Sequence, residues 1–242
     1  MGFGLNVSGD AGNVQVDSAY QNLVLVKCGY ITLTNGNNEG YNTSSDPREV
    51  LTVSGVDPVI AIQYHLHTRT FRRDMGSGVF EFHILGGSSA SVRYFVFDTP
   101  VSQPSQDFGM KVFGPGGAQV FDSGYRPMRV LGSHSGSAAP WPLINATEAN
   151  STNITFTYSH GNLAVITCQQ AAKAVTEVYD INGMSMYESY INTSRSKVDG
   201  SSVVVTNSME MSFPLGISGI KRWDLWSILV VDVSGYPSSY SV

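Results

Sequence analysis

Along most of the chain, apolar and polar residues alternate in runs too short for anything but β-strands. In residues 58–68, Ile60, Ile62, Tyr64 and Leu66 fall on one face and Ala61, Gln63, His65 and His67 on the other. That is the pattern of a half-buried strand, whose side chains point alternately to opposite sides. Similar runs follow at Val79–Leu85, Ser91–Phe97, Asn153–Tyr158, Leu163–Thr167, Ser202–Thr206 and Ile228–Val233. Turn-forming clusters separate the runs, among them Thr34–Asn38, Gly86–Ser89 and Gly114–Gly117. Short strands at this spacing, with 25 glycines for the bends, predict an all-β sandwich or barrel. One segment reads otherwise: the Ala-rich stretch Gln169–Val175 suits a short helix.

An internal repeat sets the organisation. Residues 3–20 align without a gap on residues 108–125, with Phe3, Gly4, Val7, Gly9, Gly12, Asp17, Ser18 and Tyr20 meeting identical residues. Each copy reads as a strand, a glycine-bounded turn and a second strand ending in Asp-Ser, whose side-chain oxygens accept from nearby amides. The unit is a Gly-rich β-hairpin used twice. Weaker echoes extend it: Asn22-Leu23 leads to Cys28 as Asn162-Leu163 leads to Cys168, and Arg93–Asp98 resembles Ile228–Asp232 as an apolar run closed by Asp. The growing offset places an insertion in the second copy around 132–152. These observations predict two tandem β-sandwich-like domains, 1–104 and 105–242, joined by the polar segment Thr99–Asp107.

Composition narrows the partners. Only 14% of residues are charged and the net charge is -5, which excludes a coiled coil and a charge-rich disordered tail. Nucleic acid is not an expected partner, because neutralising phosphates takes clustered Lys and Arg. The first basic residue is Lys27, so Met1 reads as a true start with no secretory leader. The strongest apolar run, Ile228–Val231, stops at Asp232, too short for insertion into a membrane. Cys28 and Cys168 have no second cysteine nearby and are expected to be buried free thiols.

Motifs that carry chemistry are scarce. Gly132-Ser-His-Ser-Gly136 has His134 where a nucleophile elbow needs serine, and its Gly/Ser run has no apolar period. Gly114-Pro-Gly-Gly117 lacks the Lys and helix of a phosphate loop. Glu81, Asp98, Asp122, Glu177, Asp180 and Asp232 are scattered carboxylates with no acid/base spacing. His65 and His67, at strand spacing, share a face on which two imidazoles would be available to a metal or a partner; an ordinary polar strand face explains them better. No cofactor and no metal are expected. The remaining candidates are aromatic contacts. Trp223 and Trp226, three apart, fit core packing at the start of the last strand or a stacking platform. Trp141, between Pro140 and Pro142, fits a stiff projecting segment that anchors on another chain.

The stretches Val92–Asp98 and Phe108-Gly-Met-Lys-Val-Phe-Gly-Pro-Gly-Gly-Ala-Gln-Val-Phe-Asp-Ser123 resemble small virion proteins encoded among the tail genes of long-tailed bacteriophages. In that group a Gly-x-x-Val … Gly-x-x-Val-Phe-Asp-Ser hairpin opens a β-rich module. The first copy departs from it, with Gln15-Val16 where the second has Val120-Phe121. The resemblance implies a non-enzymatic structural component near the tail tip or fibres, made in the host cytoplasm and docked on other tail proteins as a homo-oligomer or in several copies. A lectin-like module that binds host surface glycans is the rival expectation.

Overall fold

In a computed structural model of the chain, residues 6–8, 14–17, 22–35, 47–86, 90–100, 109–114, 117, 119–137, 153–170, 172–181, 184–213, 221–223 and 225–241 are described. They form an all-β, sandwich-like structure. The first half has the strands β1 (Asn6–Ser8), β2 (Val14–Asp17), β3 (Val24–Thr32), β4 (Thr34–Asn35), β5 (Pro47–Ser54), β6 (Val59–Gln63), β7 (Thr68–Gly76), β8 (Val79–Gly86) and β9 (Ser91–Asp98). The second half has β10 (Lys111–Phe113), β11 (Gln119–Asp122), β12 (Val130–Ser137), β13 (Ile154–Thr157), β14 (Leu163–Gln169), β15 (Ala172–Ile181), β16 (Met184–Asp199), β17 (Ser202–Phe213), β18 (Lys221–Trp223), β19 (Leu225–Asp232) and β20 (Tyr240–Ser241).

The two hairpins agree pair for pair. Asn6 faces Asp17 and Val7 faces Val16, with a bulge before Ser8 meets Val14. Lys111 faces Asp122 and Val112 faces Phe121, with a bulge before Phe113 meets Gln119. Gly12 and Tyr20 lie outside the described residues. Gly117 closes the second turn at φ 81°, its amide donating to the Gly114 carbonyl at 3.0 Å; a residue with a Cβ is strained in that conformation.

Beyond the hairpins, each half repeats one strand order. The larger sheets run β12-β19-β14-β6-β9-β3-β20 and β13-β17-β16-β7-β8-β5-β4, with β15 and β18 alongside β16. Within the first half, the order β3-β9-β6 lies over β5-β8-β7. Within the second, β12-β19-β14 lies over β13-β17-β16. The third strand of each half abuts its counterpart in one sheet, and the fourth does so in the other, so the halves meet side by side.

Three clusters hold the layers together. Leu33, Leu51, Ile60, Ile62, Phe82, Ile84, Tyr94 and Val96 fill the first sandwich. Leu163, Val165, Val198, Val203, Val205, Trp226, Ile228 and Val230 fill the second. The third lies on the other face of the seven-stranded sheet and draws on both halves: Leu25, Cys28, Ala61, Phe95, Phe97, Ala164, Ile166, Val231 and Val233. Buried from Tyr94 to Asp98, β9 reads as a near-continuous apolar run, whereas β8 and β19 alternate between buried and less buried positions before their buried ends.

Several expectations need correction. The Ala-rich stretch Gln169–Val175 is not helical: β14 runs to Gln169 and β15 starts at Ala172, pairing along β16 overriding a weak local preference. Of the inserted loop expected around 132–152, residues up to Ser137 are strand, because β12 pairs with β19, and residues 138–152 lie outside the described residues. Its added length is also elsewhere. Val130, Ile154 and Leu163 open β12, β13 and β14 at nearly the hairpin offset from Val24, Pro47 and Val59, which open β3, β5 and β6. The surplus comes after β14, in β15 and in the long arms of β16 and β17. The cysteine echo is not part of the repeat either, for Cys28 lies on β3 and Cys168 on β14.

Candidate functional site

The halves meet along a seam that is barely hydrogen-bonded. β6 pairs with β14 only at Ile62 and Val165, and β7 with β16 only at Thr68 and Ser196. The Val198 amide adds a bond to the Tyr64 carbonyl at 2.8 Å. On either side of this seam lies a cleft. One, of about 470 Å³, is walled by Pro58–Ile60, Thr70, Phe71, Arg72, Phe82 and the end of β14 from Ile166 to Cys168 with Gln170. The other, of about 360 Å³, is walled by Tyr30, Gln63, Tyr64, His65, Ser91, Arg93, Gly161, Val198 and Gly200.

In the first cleft Arg72 is engaged by the Asp57 carboxylate at 2.5 Å and the Pro58 carbonyl at 3.0 Å. The Phe71 ring stacks on His83 with centroids 4.5 Å apart. Burial lowers the His83 pKa, against the pull of Glu81. Cys168, expected to be buried, is exposed, and Cys28 is buried; partial burial still raises the Cys168 thiol pKa. That thiol is therefore a weak nucleophile at neutral pH.

The second cleft rests on a row laid across three strands. Tyr30 of β3 faces Arg93 of β9, which faces Gln63 of β6. Arg93 donates to Gln63 Oε1 at 3.2 Å and to the carbonyls of Tyr236 and Pro237 at 3.2 and 3.0 Å. Its guanidinium lies 4.7 Å from the Phe95 ring centroid and 6.0 Å from that of Tyr30. Tyr30 itself is 59% exposed. No sequence signal marks this row, because its members are far apart in the chain and only the sheet register aligns them.

His65 joins the cleft wall, exposed, with its ring edge-on to Tyr64 at 4.9 Å. The expected strand pair His65-x-His67 is not formed, since β6 ends at Gln63 and both histidines lie on the corner before β7. His67 is half-buried. Desolvation first, then the charges of Lys197 and Arg195, lowers its pKa. Among the described residues no group of three or more His, Cys, Asp or Glu is placed to hold a metal ion.

The tryptophans separate. Trp226 is 2% exposed in the second core and is no surface platform. Trp223 lies on β18 opposite Ala172, and its side chain lies outside the described residues, as does Trp141 altogether. What the sequence did not signal is an aromatic wall beside β12. His134 stacks on Phe156 with centroids 3.7 Å apart and meets the Tyr158 hydroxyl at 2.5 Å through Nε2. Phe156 in turn meets Trp226 edge-on at 6.3 Å. Burial lowers the His134 pKa, which favours the neutral ring in that stack.

Three of the scattered carboxylates hold structure. Asp98 accepts from the Val56, Asp57 and Thr99 amides at 2.7, 3.0 and 2.7 Å. Asp122 accepts from Gly124 N at 2.8 Å and lies 3.5 Å from Lys111. Asp232 accepts from Ser234 N at 2.8 Å and lies 3.3 Å from Arg129. Glu81 lies 3.4 Å from His83, and the side chains of Glu177 and Asp180 are outside the described residues. Beside the first cleft the Asp57 carboxylate is taken up by Arg72, and the walls themselves offer stacking surface, amide and guanidinium donors, the His65 imidazole and one thiol.

No family model, curated protein or solved structure matches this chain.

Proposed function

We propose that this chain is a non-enzymatic structural protein of a bacteriophage tail, tip- or fibre-associated, which docks on neighbouring tail proteins. The observation that carries the reading is the repeated unit: one hairpin and six strands in one order, used twice and joined side by side through shared sheets. On this reading the halves descend from one ancestral unit, and the duplication presents two related docking faces on a single rigid body. Surface chemistry supports docking, since Tyr30, Phe71, Met75, Met110, Phe113 and Leu225 are exposed on a weakly charged protein, and aromatic and thioether groups are favoured at interfaces. The use of Asp98, Asp122 and Asp232 as turn and ion-pair anchors also supports a structural role over acid/base chemistry. The test is detection of the chain in purified particles by mass spectrometry, with antibody labelling at the tail. Particles that lack it, made by cells that express it, would sink the proposal.

A second reading has its own observation in the Tyr30–Arg93–Gln63 row beside His65, an exposed ring flanked by amide and imidazole groups, which suits a sugar ring. Glycan arrays separate the two. Saturable binding by the isolated protein, abolished in Tyr30→Ala, favours the lectin-like module.

A further inference from the structure

Among the described residues, Arg93 is a cation without a carboxylate partner. Arg72 has the carboxylate of Asp57 and Arg129 that of Asp232, whereas the acceptors around Arg93 are the Gln63 amide and the carbonyls of Tyr236 and Pro237, all neutral. A guanidinium carries five N–H donors, and these three bonds leave two of them unmet. Nε is buried without an acceptor, and one N–H of Nη1 is left over beside Gln63. A partly buried charge with too few acceptors is costly, and an anion would relieve it. Asp199, which follows the wall residue Val198, does not supply one, since Lys197 engages it at 3.5 Å.

Gln63 adds a second donor. Its Oε1 accepts from Arg93 Nη1, and because a guanidinium only donates, this fixes the amide with Nε2 turned away from the charge. Nothing among the described residues accepts from that Nε2. Gln63 and Arg93 both wall the second cleft, with the exposed His65 and Ser91 beside them. Directly opposed residues on adjacent strands lie about 5 Å apart, so Tyr30, Arg93 and Gln63 follow one another at that spacing. A pyranose ring lying on the exposed face of Tyr30 therefore carries a carboxylate on its rim to Nη1 of Arg93 and Nε2 of Gln63. One fixed positive charge balances one carboxylate, while a phosphate dianion would be left half-neutralised. We propose that the second cleft binds an acidic saccharide, of the uronate or sialate kind, with Arg93 and Gln63 recognising its carboxylate. The proposal rests on the sugar reading of this cleft and not on the tail assignment.

A glycan array probed with the full chain tests it. The array carries uronate- and sialate-terminated glycans, the same glycans with the carboxylate reduced to an alcohol, and sulfated glycans without a carboxylate. Signal is expected on the carboxylate-bearing members and at least about tenfold less on their reduced partners, the loss that goes with one hydrogen bond to a charged group. Arg93→Gln and Gln63→Ala should each lose this preference for the acid. Equal signals on acidic and reduced members overturn the proposal and leave the sugar reading standing. Sulfated glycans that match the carboxylates would reduce the site to charge attraction and overturn it also. No signal on any member overturns both. An acid preference that survives either substitution places the carboxylate elsewhere and overturns the proposal. If Arg93→Gln does not fold, because its guanidinium also holds the Tyr236 and Pro237 carbonyls, Gln63→Ala and the reduced glycans decide.

Discussion

Gly136 is where a single atom decides the packing. A Cβ there would lie 2.6 Å from Cζ2 and 2.9 Å from Cε2 of Trp226, closer than real Cβ atoms come. The indole is buried against Phe156 and has no room to swing away. Gly136→Ala should therefore cost about 1–3 kcal/mol, the usual penalty of forcing extra volume into a filled core. Ser135→Ala, one residue away on the solvent face, should stay within about 0.5 kcal/mol. Urea unfolding of the pair checks this, and equal midpoints would show that the indole is not held where described. Asp98 makes a second test. It is buried, and its carboxylate serves three backbone amides. Removing it leaves those donors unpaired, so Asp98→Ala should lose about 2–4 kcal/mol, with Asp98→Asn in between, because a charged acceptor of backbone amides is worth more than a neutral one.

At the scale of elements, the legible parts of the sequence were those whose faces differ. β8 and β13 were read correctly because their core-facing positions alternate with less buried ones. β12 was missed for the opposite reason: its inward positions are Gly132, His134 and Gly136, and the apolar groups that fill the space belong to β13, β19 and Tyr158. A strand whose hydrophobic partners are supplied by other segments has no hydrophobic period of its own. The second cleft was illegible likewise, since Tyr30, Gln63 and Arg93 converge only through register. The C-terminal strap is another such element. β20 pairs with β3 through Tyr240 and Cys28, the Tyr236 hydroxyl donates to the Pro127 carbonyl at 2.5 Å, and the Cys28 thiol donates to the Pro237 carbonyl at 3.3 Å. In the intact protein a thiol reagent should modify Cys168 and leave Cys28 untouched until unfolding. Deleting residues 236–242 should expose Cys28, Phe95 and Phe97 and raise the Cys28 rate by at least about tenfold, the change in access given by about 1.4 kcal/mol of lost protection. An unchanged rate would mean that the strap does not cover this face.

Across the whole molecule, the histidines set a pH response with a definite sign. Burial lowers the pKa of His67, His83 and His134 from the ordinary 6.5. For His67 the charges of Lys197 and Arg195 add to the effect. For His83, Arg48 and Arg73 add to it and Glu81 opposes it. As pH falls below 6.5 the unfolded chain takes up protons that the folded chain refuses, so stability should decline until the folded values are passed. Urea midpoints at successive pH values check this, and His134→Gln should flatten part of the slope. The same continuity of structure governs how the chain unfolds. The inter-sheet cores belong to one half each, which by itself would allow two independent transitions. The third core does not respect that division, because Ala61, Phe95 and Phe97 share it with Ala164, Ile166, Val231 and Val233. The strap from the second half also closes over β3 of the first. Opening either half alone would therefore expose part of a core the other half still needs. Calorimetry should give one transition, with equal calorimetric and van't Hoff enthalpies. Phe97→Ala, which removes a fully buried ring from the shared cluster, should lower that single midpoint through a loss of about 3–5 kcal/mol. Two resolved transitions, only one of them moved by Phe97→Ala, would show that the halves fold as separate domains in spite of their common sheets.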